Sequence, residues 1–575
     1  MVRHRLARAL AAFLLAASTL PVAAPVTVAA APTPLRANQL SHRLTAEVMG
    51  YLPYWEMNDE TVASLDYHRL TTIAFFSVGM DADGHLVTSG AGYKALLSDR
   101  ATTVIERAHA AGVRAIVSFT SFGAERNAAF FSNQAAQDTF VAEAAALVRS
   151  RGLDGADLDV ELISGTYFAA YAATAGALAD RMRADNAIAF SSVATNGNTS
   201  GARMARRALA AGVDRAFLMG YNYRSAGTSP VGSIDPLVHV DGGLSLTASL
   251  DMYADEGVPL NRVILGLPFY GRTWHTTTAN LHAARVSGEA GVVFRFEDLS
   301  TLLAEGTVLA HDLDTIESSA RLVRNVDGAI YQTYYDSPAS FLPKFKLVFS
   351  RGLAGVGFWA LGYDGGEAGY WNLVGSTFGP PVISSVRIEP NPTNDRAVTV
   401  WIRWTNHDRP VTEMRLANGS GTFSAWRPVA GRAPGVRCAG SEDRCGIATE
   451  WTLPASTSPV KRYVRVQVRD EAGALSTIRA GWTLLDPTKP RLTKVTLWWS
   501  TTANAWRLKY VATDTGSGVG TYRIRIEQAG VWSDLAVGYT GTSYTIRLPR
   551  SAEFRVSVSP IDKAGNVGAS VYRST

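Results

Sequence analysis

Residues 152–161 read Gly-Leu-Asp-Gly-Ala-Asp-Leu-Asp-Val-Glu. Within them Asp157, Asp159 and Glu161 recur at every second position, and Leu158 and Val160 fill the gaps. Successive side chains of a β-strand point to opposite faces, so the three carboxyls share one side and the apolar residues the other. Three acids on one side of an otherwise apolar strand repel one another and resist burial. A solvated edge strand tolerates such a face; a strand inside a sheet holds it for a reason.

The flanks place this strand in a sheet. Short apolar runs at 47–54, 72–78, 114–119, 153–161, 187–194, 215–222, 262–268 and 353–361 read as strands. Helical patterns separate several of them. Residues 101–111 are alanine-rich with Val104, Ile105 and Ala108 recurring, and 134–149 repeat Phe140, Ala144 and Leu147 at helical spacing. A third helical pattern covers 168–184. Gly112 and Gly152 stand where helices stop, just before the next strand. Strands alternating with helices of this length form a parallel sheet. Eight of them over about 330 residues predict a closed (β/α)8 TIM barrel with the acidic strand fourth. An open doubly wound sheet would carry a glycine-rich phosphate turn after its first strand, and Tyr51-Leu-Pro-Tyr-Trp55 is nothing of the kind. The long gap before the eighth strand predicts a small α+β insertion, about 271–331, with strand patterns at 292–296 and 328–335.

Like charges at this range push one carboxyl pKa up and hold another ionised. Glycosidic cleavage uses that combination: a protonated acid aimed at the leaving oxygen beside an ionised partner. Glu161 comes last and reaches furthest from the C-terminal end of its strand, where barrel active sites open. Asp159 lies beneath it and Asp157 deeper. A Mg²⁺ or Ca²⁺ site is the competing reading of the same three acids.

The rest of the 575-residue chain bounds the setting. Arg3, Arg5 and Arg8 precede an apolar run from Leu10 to Ala24, the pattern of a cleaved signal peptide over 1–31. Pro21 and Pro25 interrupt the run, and spanning a bilayer takes about 20 apolar residues, so no membrane span is expected. The three leader arginines account for most of the net charge of +5, and the remaining arginines are scattered, which gives no argument for nucleic acid. In an exported chain Cys438 and Cys445, the two cysteines, read as one small disulfide. His239, His275, His282 and His311 have no metal-like spacing, so no metal is assigned, and no cofactor.

Near Pro380-Pro381 the pattern changes to alternating strands. It predicts two all-β sandwich modules, 380–485 and 486–575, after a catalytic domain at 41–379. Val468-Arg-Asp-Glu-Ala-Gly473 matches Pro560-Ile-Asp-Lys-Ala-Gly565, and Trp426 and Trp532 take similar places, so the modules read as divergent repeats. Trp426, Trp499, Trp506 and Trp532 either bind carbohydrate or pack inside the sandwiches; a spacer is the plainer role.

Asp154-Gly155-x-Asp157-x-Asp159-x-Glu161 resembles the signature of glycoside hydrolase family 18, the chitinase-like catalytic domains, at all five fixed positions. Other elements agree over roughly 47–375. Met219-Gly-Tyr221-Asn222 resembles the sixth-strand Met-x-Tyr-Asp element. Leu265–Trp274, with Tyr270, resembles the seventh-strand element, and Gly355–Asp364, with Trp359, the eighth. Tyr51 fits the aromatic near the end of strand one, and Ser118-Phe-Thr-Ser-Phe-Gly123 is a looser third-strand element. The C-terminal modules resemble immunoglobulin/fibronectin-III-like domains.

The resemblance implies substrate-assisted, retaining cleavage of β-1,4-linked N-acetylglucosamine polymers. Glu161 would be the general acid and then base, Asp159 would hold the substrate acetamide, Asp157 would support it, and Tyr221 would donate to the acetamide oxygen. Trp359, Asn222, Tyr51, Tyr270, Trp274 and Asp154 would bind or support substrate, with Tyr54, Trp55 and Tyr335 as further stacking candidates. The family pattern departs at Val160, where an aromatic is frequent, at Asn222, where Asp is common, and at Thr120 and Ser121. The implied protein is a secreted monomer, free or held at the cell surface, acting on chitin or peptidoglycan; a peptidoglycan N-acetylglucosaminidase and a silent chitin-binding lectin are the alternatives.

Overall fold

Side-chain alternation decides how the sheet closes. The computed structural model describes residues 32–40, 44–405, 410–429, 444–471 and 473–575. The leader at 1–31 and the Cys438–Cys445 pairing lie outside the described residues.

Seven strands come in order: β1 Glu47–Pro53, β2 Thr72–Gly79, β3 Arg114–Phe122, β4 Gly155–Glu161, β5 Phe190–Asn196, β6 Arg215–Met219 and β7 Val263–Pro268. Five more, β8 Tyr270–Thr276, β9 Val292–Arg295, β10 Thr307–Asp314, β11 Ser319–Val326 and β12 Ala329–Tyr335, form a separate antiparallel sheet in the order β10-β11-β12-β8-β9. The chain then returns through β13, Gly355–Trp359, which pairs in parallel with both β7 and β1 and closes the barrel. The expected (β/α)8 barrel with an insertion before its last strand is therefore present.

On β4 the apolar residues Ala156, Leu158 and Val160 pack outward into the cluster shared with the helices. The opposite parity faces the barrel interior. There Met49, Tyr51, Ala74, Phe76, Ile116, Phe190, Phe217 and Ile264 form a second cluster, the usual filling of a small barrel. Gly112, with φ of 74°, ends the helix Asp99–Ala111 in the left-handed conformation expected of a stop.

Gly155 has a different task. A Cβ there would lie 1.8 Å from the Phe190 carbonyl oxygen, so β4 and β5 approach closely only because this position lacks a side chain. We expect Gly155→Ala to cost about 1–3 kcal/mol or more by forcing the strands apart. An unchanged thermal midpoint would contradict this.

Sequence patterning missed β10 and β11 of the insertion. β10 lies at the sheet edge and is mostly exposed, so it lacks the alternation that marks a half-buried strand. The strand expected at 215–222 stops at Met219, because Asn222 turns the chain with a φ of 61°.

After the barrel, among the described residues, two modules each divide seven strands between a three-stranded and a four-stranded sheet. In both, the first, second and fifth strands form one sheet. The fourth, third, sixth and seventh form the other, in that order. The repeated turn is also built twice in the same way: Asp470 Oδ1 accepts the Ala474 N–H and Asp562 Oδ1 accepts the Asn566 N–H, each at 2.8 Å.

Candidate active site

Each barrel strand, or the segment that follows it, contributes a residue to one cavity of about 350 Å³. Tyr51, Phe76, Phe122, Asp159 and Glu161 come from β1 to β4. Ala194, Asn196, Met219, Tyr221, Asn222, Tyr270 and Trp359 complete the wall from β5 onward. The cavity therefore sits at the C-terminal end of the barrel, and its carboxyls come from β4.

The three acids descend into the barrel. Asp157 is fully buried, and three hydroxyls converge on it. Ser192 Oγ donates to Oδ1 at 2.7 Å; Ser118 Oγ and Tyr51 OH donate to Oδ2 at 2.8 and 3.1 Å. Burial raises the Asp157 carboxyl and outweighs those three donors, which favour the ionised form. Asp159 lies above it, 5% exposed, and its Oδ1 finds no hydrogen-bond partner among the described residues. Burial first, then the Asp157 and Glu161 carboxylates, hold Asp159 well above the ordinary aspartate range. Glu161 is half-buried at the strand end, and burial raises it too. The sequence suggested one raised carboxyl and one ionised partner. The structure raises all three and Asp159 most clearly among the two that line the cavity.

Tyr221 stands opposite. Burial, Tyr270 and the three acids raise its phenol far above the usual value, so it remains a hydroxyl donor. Its ring lies 6.0 Å from that of Tyr270. Trp359 is half-buried and rests edge-to-face against Phe76 at 4.5 Å, with Tyr51 at 5.7 Å. Trp55 follows at 6.4 Å from Trp359, and Tyr54 packs on Trp55; both are exposed, which extends an aromatic surface out of the cavity.

Two expected binding residues are elsewhere. Asp154 precedes β4 at the opposite end of the strand, where it accepts from Leu35 N, Ala115 N and the His109 ring. It ties the barrel base together and does not line the cavity, because the whole length of β4 carries the extended chain from it to Glu161. Trp274 is 1% exposed and packs against Tyr334 where the insertion joins the core, so its faces are not open to a sugar. Tyr335 is likewise buried, its hydroxyl against the His311 ring.

Phe76, Phe122 and Asn196 line the cavity without having been singled out, and Met219, named only as part of the sixth-strand element, lines it too. Asn196 shares the inward parity of Ser192 and Ala194, so alternation along the fifth strand would have found it. Outside the cavity the fold also groups His282, Asp314 and Glu317, which the sequence spacing did not suggest. They serve ion pairs: Glu317 takes both guanidinium nitrogens of Arg224 at 2.6 Å, and His282 meets Asp314 at 3.0 Å. Among the described residues no helix is long and apolar enough to cross a membrane.

A barrel with carboxyls of one strand at its mouth defines the class, a glycosidase-type site. The sequence profile of the glycosyl hydrolases family 18 matches residues 47–364, more than half of the chain, and the chain belongs to that family. A "Probable endochitinase" of Caenorhabditis elegans is 29% identical over 293 residues, 47% of this chain and 46% of the relative. A "Class V chitinase" of Arabidopsis thaliana is 25% identical over 256 residues, 41% of this chain and 65% of the relative. The chain thus spans less than two-thirds of either relative's length. Among solved structures, the GH18 chitinase from Cycas revoluta in complex with (GlcNAc)3 shares the fold, with a TM-score of 0.50 at 18% identity, over 57% of this chain and 98% of that one.

Proposed function

We propose that this chain hydrolyses β-1,4 linkages in N-acetylglucosamine polymers, chitin or chito-oligosaccharides, with retention and with the substrate's own acetamide as nucleophile. One observation carries the reading. Among the described residues lining the cavity, Asp159 and Glu161 are the two carboxyls, and both project from β4. Two acids on the same strand flank one side of a bound sugar, whereas a protein nucleophile and an acid act from its two sides. An acetamide carbonyl fills the missing role, and Asp159 Oδ1, buried without a partner, is available to accept the acetamide N–H. Glu161 then protonates the leaving oxygen, and Tyr221 donates to the acetamide oxygen. The acetamide N–H and the positive charge developing on the sugar favour ionised Asp159, whose proton passes to the Asp157 carboxylate beneath it, and the acetamide carbonyl closes on the anomeric carbon as an oxazolinium ion while the bond to the leaving oxygen breaks. Glu161, now a carboxylate, activates water to open it. Relatives named as chitinases favour the same substrate class.

The test compares N-acetylated and de-N-acetylated oligomers and peptidoglycan, with the anomer of the first product read by proton NMR. Cleavage of the acetylated oligomer to the β-anomer, with the de-acetylated one intact, supports the proposal. Cleavage of peptidoglycan alone would assign the site to a cell-wall glycan, and binding without cleavage would make the chain a lectin.

The C-terminal modules fit a spacer. Arg415 and Arg469 lie over Trp426 at 4.6 and 4.5 Å, and Arg525 and Arg555 over Trp532 at 5.6 and 5.9 Å. Indole faces covered by guanidinium groups are not free to stack on sugars. Replacing both tryptophans with leucine is expected to leave retention on insoluble chitin unchanged; loss of retention would make the modules binding domains. Export through cleavage of residues 1–31 is part of the same proposal, and N-terminal sequencing of protein from the culture medium tests it.

A further inference from the structure

We infer that Asn127 is a positioning residue for the catalytic acid: its amide ties the end of β4 to β3 and fixes the backbone from which Glu161 projects. The inference rests on the function proposed above. β4 pairs with β5 only as far as Asp159 opposite Ala194, whereas pairing with β3 continues to Phe122 opposite Glu161. Glu161 is therefore the last residue of its strand and has lost the sheet on one side. Directly after it, Leu162 adopts a φ of 60° and stands exposed, so nothing beyond the acid continues the ladder.

Asn127 reaches this strand end from the β3 side, on the helix Ala124–Phe131, which follows β3. Its Nδ2 donates to the Glu161 carbonyl oxygen at 2.5 Å, and its Oδ1 accepts from Ser121 Oγ at 2.7 Å. The side chain is completely buried. A carbonyl oxygen only accepts, so the amide has one workable orientation: NH2 toward Glu161 and oxygen toward the Ser121 hydroxyl. Ser121 lies on β3 opposite Val160, the residue before the acid. β3, the helix and the end of β4 are thus joined through one amide. This sets the peptide plane after Glu161 and with it the direction of the carboxyl. Displacing a catalytic group by about 1 Å costs on the order of 100-fold in rate.

Two variants test this in the full chain. Asn127→Ala removes the donor. We expect kcat on chito-oligosaccharides to fall about 10- to 100-fold with KM within about threefold, because the acid is misdirected while the cavity wall is intact. Asn127→Asp keeps the shape and the bond from Ser121. Ionised, it turns an acceptor toward the Glu161 carbonyl; protonated, it donates again. The ratio of its kcat to that of the wild type should therefore rise as pH falls. A residue needed only for folding would lower the thermal midpoint of both variants without that pH-dependent recovery.

Folded variants with kcat within about twofold of the wild type across the pH range would overturn the inference, since a catalytic group out of place costs far more. If the wild type cleaves no oligomer, the proposed function fails instead. The positioning claim is then read from crystal structures of the wild type and Asn127→Ala: a Glu161 carboxyl that has left its place in the cavity wall supports it, and an unmoved one overturns it.

Discussion

Glu161→Gln is expected to leave a folded chain that binds N-acetylglucosamine oligomers and no longer cleaves them. Glutamine fills the same half-buried space at the end of β4 and keeps the backbone bond from Asn127. It cannot donate the proton that an alkoxide leaving group needs, nor take one from water in the second step. Proton transfer from a placed side chain is worth about 10²- to 10⁴-fold, so kcat should fall by at least that range while the dissociation constant stays near the KM of the wild type. Leaving-group dependence sharpens the test. An aryl glycoside with an acidic phenol needs little protonation, so its first step should be spared while its second is slowed, and a burst of phenol should precede slow turnover. Equal activity of Glu161→Gln and wild type on natural oligomers would falsify the assignment of the acid.

Asp159→Asn should divide function from stability. In the proposed mechanism its carboxylate faces the acetamide and the developing positive charge. Removing one preorganised electrostatic partner of this kind costs about 10²- to 10³-fold in kcat. Stability should move the other way. The Asp159 carboxyl is held well above its ordinary range by burial and by Asp157 and Glu161, so the folded chain binds that proton more firmly than the unfolded chain does. Below the unfolded value, about 4, both states are protonated and the acid costs nothing. As pH rises from there through the folded pKa, stability is lost. Every pH unit that separates the folded from the unfolded pKa costs about 1.4 kcal/mol once both states are ionised. Asparagine is neutral throughout. The thermal midpoint of Asp159→Asn should match the wild type in acid and exceed it increasingly toward neutral pH. A variant less stable than the wild type at neutral pH would show that Asp159 is ionised and satisfied in the free site.

Much of this was legible along the chain because period-two alternation is a local property. Asp157, Asp159 and Glu161 had to share a face once their segment was a strand, and Leu158 and Val160 had to share the other. The β/α rhythm ordered eight strands, and Gly112 marked a helix end through its own backbone freedom. The two C-terminal repeats were visible in the Asp470 and Asp562 turns, where the side chain bonds its own backbone four residues on.

Contacts between distant segments were not legible. Asp154 sits in the same short run as Glu161, yet a strand carries it to the opposite end of the barrel, so nearness in sequence misled. Trp274 belongs to a suggestive element, but the insertion folds over it and closes its faces. Asn127, Ser192 and Phe76 acquire their places only when β2, β3 and β5 stand beside β1 and β4. The sequence by itself determined which strand carries the acids and which way they face, because that depends on chain geometry over a few residues. The tertiary structure decided which acid is left without a partner, and what holds the carbonyl of Glu161. Burial and hydrogen bonding are set by groups that closure of the barrel brings together.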